Sequence, residues 1–252
     1  MTLTMRNNKR NSNIATEWDS ICEERQQMIE QGRDPSLTLV TAPCIIKNVQ
    51  SKSPRYLIDV GCGTGYLTNQ LAAITERCIG IDISTMSIRI AKATYKRNNL
   101  EFEHCSIAEY SSEIVFDACT ANMVFSADVN WLESLKKIHG LLCGEGRIYL
   151  IVPHPCFWPQ YWKYQDEVWF HYNQEMSIKH EFATSLTSSM GITTHIHRSL
   201  EQYINGLIEC GFIIEKIEEP YPAAPPPSNY CFSYPRFLFI QGKKIQQVMH
   251  RV

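Results

Sequence analysis

Leu57-Ile58-Asp59-Val60-Gly61-Cys62-Gly63-Thr64-Gly65-Tyr66-Leu67 is an apolar strand that runs into a glycine-rich turn, and a helix-forming segment follows. Glycine reaches φ values closed to other residues and lets a ligand approach the backbone. The first turn of the next helix offers unpaired N–H groups and the positive end of a dipole. Such a turn after a strand is a nucleotide-type binding loop. Its order is Asp-x-Gly-x-Gly-x-Gly. The dinucleotide fingerprint Gly-x-Gly-x-x-Gly would need glycine where Tyr66 stands.

A second acid sharpens the reading. Cys78-Ile79-Gly80-Ile81-Asp82 reads as the next strand and ends in a carboxylate. In doubly wound folds an acid about twenty residues past the loop takes the ribose hydroxyls, because a carboxylate can accept two hydrogen bonds from a diol. On Asp59, Gly61, Gly63, Gly65 and Asp82, with two later strands, the chain resembles the class I S-adenosylmethionine-dependent methyltransferases of small-molecule type. The resemblance covers residues 55–152 well and 196–241 loosely. It implies a doubly wound, seven-stranded, mostly parallel sheet of the Rossmann-like methyltransferase kind. It also implies S-adenosyl-L-methionine as cofactor and S-adenosyl-L-homocysteine as product.

Strand–helix alternation with short connections supports a parallel sheet. Strands are expected at Tyr56–Val60, Ile79–Ile83, Leu100–Cys105, Ile114–Asn122 and Arg147–Val152, and two final ones at Phe212–Ile217 and Arg236–Gln241. Helices are expected at Ile14–Glu30, Leu37–Val49 with an interruption at Pro43, Tyr66–Thr75, Ser84–Lys96, Trp131–Leu142 and Leu200–Cys210. Residues 1–12 read as a loose polar tail. The prolines of Pro220–Ser228 favour an extended, stiff connection. The whole of 1–252 reads as a single domain, with 1–50 as an N-terminal helical cap and 153–197 as a lid inserted after strand 5.

Composition bounds the function. The chain has 252 residues, 44% hydrophobic and 20% charged, enough for one α/β domain with a substantial core. A net charge of −2 without a long basic run disfavours a nucleic-acid substrate. None of the 10 cysteines forms a Cys-x-x-Cys pair, so no zinc site is expected. No signal peptide and no apolar stretch near 18 residues is visible, so a cytoplasmic protein off the membrane is expected. Monomer and homodimer both stay open.

The resemblance assigns cofactor contacts residue by residue. Gly61, Cys62 and Gly63 form the loop. Asp59 matches the family acid near the cofactor amino group, or else only orders the turn. Asp82 binds the ribose, and Ile83 lines the adenine. Many relatives place an Asp after the third strand to hold the adenine amine. Here that place falls on Ser106, with Ile107 beside it. Asn122 and Met123 end the fourth strand, where the transferred methyl is lined; Ile107 and Met123 also suit a plain core role. Trp18 and Arg25 lie in an aromatic leader like one that closes over the methionine end, or else they are a packing Trp and a solvated Arg.

The insertion selects the substrate. Phe157, Trp158, Tyr161, Trp162, Tyr164, Trp169, Phe170 and Tyr172 crowd one segment, which holds three of the five tryptophans. Aromatic rings bury much area and stack on flat or cationic groups. The segment predicts an enclosed pocket for a small, aromatic or heterocyclic metabolite, or a mini-core that fastens the lid. Histidines recur nearby at 154, 171, 180, 195 and 197. His154 follows a strand end, and His197 with Arg198 precedes a helix, as a His-Arg pair does in small-molecule methyltransferases. His154 and His197 are the candidate bases, with Arg198 at the substrate. The methyl acceptor is O, N or C. Rival readings are a non-catalytic S-adenosylmethionine-binding module, an RNA or protein methyltransferase, and, last, an NAD-type oxidoreductase.

Overall fold

The computed structural model describes residues 3–4, 11–183, 186, 190–222 and 233–245. Its elements are β1 (Leu3–Thr4), α1 (Asn11–Glu30), a π-helical turn (Ser36–Thr41), α2 (Ala42–Gln50), β2 (Tyr56–Val60), α3 (Tyr66–Ala72), β3 (Arg77–Asp82) and α4 (Thr85–Thr94). These are followed by β4 (Leu100–His104), β5 (Phe116–Asn122), α5 (Trp131–Leu141), β6 (Leu142–Pro153), α6 (Trp158–Tyr161), β7 (Met176–Phe182) and β8 (Gly191–His197). The chain closes with α7 (Leu200–Glu209), β9 (Phe212–Glu218) and β10 (Phe237–Lys244).

Seven strands form one sheet in the order β4-β3-β2-β5-β6-β10-β9. The pairs β2–β3, β3–β4, β2–β5 and β5–β6 are parallel, while β10 runs antiparallel to both β6 and β9. Successive strand residues face opposite sides of the sheet. Accordingly Leu57 enters a core with α2, α3 and α4, whereas Ile58 and Val60 enter a second core with α5 and α7. Both faces are covered, as a doubly wound sheet requires.

Local chemistry sets the helix ends. The Ser84 hydroxyl accepts the Ser87 N–H and so caps α4. Ser199 and Gln202 make a reciprocal capping box at the start of α7.

Two expectations are corrected. Pro43 does not interrupt a helix; it sits in the first turn of α2, where proline's missing N–H costs nothing, and a π-helical turn precedes it. Residues 1–12 are not uniformly a loose tail, because Leu3–Thr4 pairs antiparallel with β7 and α1 already starts at Asn11. Within residues 153–197, β7 and β8 form an antiparallel hairpin, and with β1 they make a second, three-stranded sheet. From residue 223 on, the expected stiff Pro220–Ser228 connection lies outside the described residues. Among the described residues no helix is long and apolar enough to cross a membrane.

Candidate active site

A cavity of about 360 Å³ opens at the carboxyl ends of β2, β3 and β5. Open α/β sheets bind ligands at that edge. Two glycines shape its floor. Gly61 has φ +66°, and a Cβ there would sit 2.3 Å from Val124 Cγ2. Gly63 has φ +54°, and a Cβ there would meet nothing within 4 Å. The absent side chain of Gly63 therefore leaves a cradle open in the loop.

Asp82 braces this loop. Its Oδ2 accepts the Gly63 N–H at 2.8 Å, and its Oδ1 accepts the Ser84 N–H at 2.8 Å. Each carboxylate oxygen retains acceptor capacity, so a diol can still bind. Burial raises the Asp82 carboxyl above its ordinary value, and the two N–H bonds oppose that rise. Asp59 lies deeper, 1% exposed, with Thr68 and Thr120 hydroxyls donating to its two oxygens at 2.6 Å each. Burial pushes its carboxyl up to about 6 against those two hydrogen bonds.

Every expected cofactor residue lines this one cavity. Asp59, Gly61, Cys62 and Gly63 come from β2 and its loop, Asp82 and Ile83 from the end of β3, and Ser106 and Ile107 from just past β4. Asn122 ends β5 with Met123 just after it, and Trp18 and Arg25 come from α1. Ser106 is already engaged, its hydroxyl donating to Glu109 at 2.8 Å. The Asn122 side chain donates to Thr41 Oγ1 at 3.2 Å, while its buried Oδ1 has no partner. Arg25 is not a solvated surface residue. It lies 5.6 Å over Trp18 and 5.2 Å over Phe182, and pairs with Asp34 at 3.4 Å.

Helix α1 roofs the cavity and is tied on two sides. Asp19 accepts from the Ser84 hydroxyl and, at 3.1 Å, from the Met86 N–H of α4. Glu17 accepts the N–H and hydroxyl of Thr194 on β8, at 2.8 and 3.0 Å.

The insertion contributes Trp158, Tyr161 and Trp162 to the cavity wall. Four other expected residues are not brought to it. Phe157 packs between His154 and Tyr234. His154 turns toward the surface strand: one ring nitrogen bonds Glu219 at 2.9 Å and the other accepts the Cys156 N–H at 3.2 Å. His197 bonds the Tyr172 carbonyl at 2.9 Å and is boxed by Tyr164, Phe170 and Tyr172. Arg198 is fully buried, bonds Glu175 at 2.6 Å and the carbonyls of Phe125 and Asp128, and lies over Trp131. It clamps the loop after β5 to the insertion.

The histidine that does reach the cavity is His195. It lies 5.4 Å from Trp162 and 6.2 Å from Trp158, centroid to centroid. Burial first, then neighbouring His197, Arg198 and His180, lower its pKa well below the ordinary histidine value. The β-branched run Ile192-Thr193-Thr194 marks a strand, but alternation puts His195 and His197 on the same face, so no sequence signal tells which of them reaches the cavity. Among the described residues no group of three His, Cys, Asp or Glu side chains is placed to hold a metal ion.

A doubly wound sheet, a braced glycine loop and a strand-end acid define an enzyme of the nucleotide-cofactor class. The chain matches the methyltransferase domain family over residues 51–203 and belongs to it. It is an S-adenosylmethionine-dependent methyltransferase.

An uncharacterised protein of Haemophilus influenzae is 25% identical over 236 residues, which is 83% of this chain and 89% of that one. Among solved structures, a putative S-adenosylmethionine-dependent methyltransferase from Listeria monocytogenes superposes with TM-score 0.62 at 22% identity, over 80% of this chain and 97% of its own. The 1,6-didemethyltoxoflavin-N1-methyltransferase of Burkholderia thailandensis was solved with 1,6-didemethyltoxoflavin and S-adenosylhomocysteine. It superposes with TM-score 0.61 at 14% identity, over 97% of this chain and 95% of its own.

Proposed function

We propose that this enzyme methylates a small, flat, aromatic or heterocyclic metabolite, working as one domain with residues 1–50 as cap and 153–197 as lid. The observation that carries the reading is one cavity whose wall holds both the glycine loop and Trp158, Tyr161 and Trp162. Aromatic walls favour a flat ligand through stacking and area burial. The same fold in the Burkholderia neighbour holds a heterocycle, which is consistent with this reading.

The residues present fit S-adenosylmethionine: the cradle over Gly63 is open, and the unpartnered Asn122 Oδ1 awaits a donor. Asp82 takes the ribose diol. Gly61, Cys62 and Gly63 pack against the methionine portion, and Asp59 draws its ammonium. Ile83, Ser106 and Ile107 flank the adenine. Asn122 and Met123 border the reacting centre, and Trp18 and Arg25 close the roof above it. When bound, the sulfonium supplies an already activated methyl group. The protein's part is to hold the acceptor in line and to exclude water. The α1 roof, tied to α4 and β8, does the second.

Transfer of label from S-adenosylmethionine tests the reading, using a panel of phenols, azines and purine-like heterocycles beside total RNA and a protein extract. Label in the small molecules is expected. Label confined to RNA or protein overturns it.

A further inference from the structure

Two side chains of the cavity wall carry polar atoms without a partner. The Trp158 indole N–H is buried and unbonded, and Trp158 is 7% exposed. Among the described residues neither ring nitrogen of His195 has a hydrogen-bond partner, although His195 is 6% exposed. Both side chains line the cavity, with ring centroids 6.2 Å apart and planes tilted by 48°. Buried polar groups are almost always satisfied, so a pair left open in a ligand cavity calls for a ligand that completes it.

We propose that Trp158 and His195 form a donor–acceptor subsite for a neutral, flat heterocycle carrying adjacent C=O and N–H groups, a lactam or cyclic imide. The indole N–H donates to the ligand carbonyl. A neutral imidazole keeps one unprotonated nitrogen, which accepts the ligand N–H. Burial, with His197 and the Arg198 guanidinium beside it, keeps His195 in that neutral form. This deepens the small-molecule reading above and rests on it.

Charge supports the same class. Asp34, Asp59, Asp82, Asp128 and Glu133 line the cavity, against one guanidinium, Arg25, which is paired with Asp34. An anionic acceptor, such as a free carboxylate, would enter a field of its own sign. The ring walls exclude a branched aliphatic chain less strongly than they favour a plane: Trp162 stacks on His180 at 4.5 Å and 19°, which holds one wall flat.

The test uses the full chain loaded with S-adenosylhomocysteine, so that no turnover occurs. Lumazine (pteridine-2,4-dione) is titrated calorimetrically beside 1,3-dimethyllumazine, which has the same plane and carbonyls but no imide N–H, and beside benzoate. The same titrations are run on W158F and H195L. Wild type should bind lumazine at least tenfold more tightly than its dimethyl analogue, with benzoate weakest. The preference should fall below threefold in H195L. Affinity for lumazine should fall at least fivefold in W158F, with S-adenosylhomocysteine affinity unchanged in both variants.

Equal binding of the two lumazines by wild type, or a preference that survives H195L, overturns the subsite. So does a lack of lumazine binding by a protein that binds S-adenosylhomocysteine normally, and that result leaves the methyltransferase assignment standing. Failure of wild type to bind S-adenosylhomocysteine would instead strike the cofactor site on which the subsite rests.

Discussion

The Asp82 carboxylate accepts the backbone N–H of Gly63 at 2.8 Å. The acid that ends β3 thus also fixes the loop that follows β2. D82A should therefore lose more than a ribose contact: S-adenosylhomocysteine affinity should drop by about ten- to a hundredfold, matching about 1.5–3 kcal/mol for a charged hydrogen bond. D82N, which can still accept from Gly63, should retain part of that affinity. Calorimetric titration checks both, and unchanged affinity in D82A would remove Asp82 from the cofactor site.

Asp59 predicts a pH dependence. Its carboxyl is raised to about 6 by burial, so at pH 5 it is mostly protonated in the folded protein. Attraction for an ammonium group then weakens, and cofactor affinity should fall as pH drops through 6. The stability sign is opposite. The folded state holds this proton more tightly than the unfolded chain, so ionisation costs stability as pH rises from about 4 to 6, on the order of 3 kcal/mol at full effect. Titrations and thermal melts between pH 4.5 and 8, with D59N alongside, should show both slopes in wild type and neither in the variant.

Gly63 and Gly61 should separate binding from stability. G63A adds a methyl that meets no protein atom, at φ +54°, so the cost is backbone strain of about 1–2 kcal/mol and a partly filled cradle. Its melting temperature should fall modestly and its S-adenosylhomocysteine affinity at least tenfold. G61A drives a Cβ to 2.3 Å from Val124 and should be the less stable of the two. The reverse order of melting temperatures would refute this geometry.

His154 should prove structural. Both of its ring nitrogens are spent, on Glu219 and on the Cys156 N–H. H154A should cost about 1–3 kcal/mol of stability while leaving kcat within a few-fold of wild type. A kcat loss of a hundredfold with an unchanged melting temperature would return His154 to catalysis.

The cofactor half of the site was legible because its signals are local. A glycine turn bounded by a strand and a helix, and an acid one strand later, both depend on neighbours in sequence. The insertion was not. β7 pairs with Leu3–Thr4, and no pattern within either segment names the other. His154 and His197 illustrate the same limit. Each lies beside a strand or helix end, as expected, but proximity along the chain does not set where a ring points. Glu219 and the Tyr172 carbonyl do, and both are distant in sequence. Arg198 is expected at the substrate only through the resemblance of its His-Arg pair to small-molecule methyltransferases, and that pair says nothing of which partners surround it. Here two backbone carbonyls and Glu175 compensate its burial completely enough to hide it.

The tie between Glu17 and Thr194 spans 177 residues. Contacts so remote in sequence pay a large loop-closure entropy and form late. The glycine floor, by contrast, is built from adjacent strands and helices. Folding should therefore yield a finished floor before a roof exists, and the roof becomes the least cooperative part of the molecule.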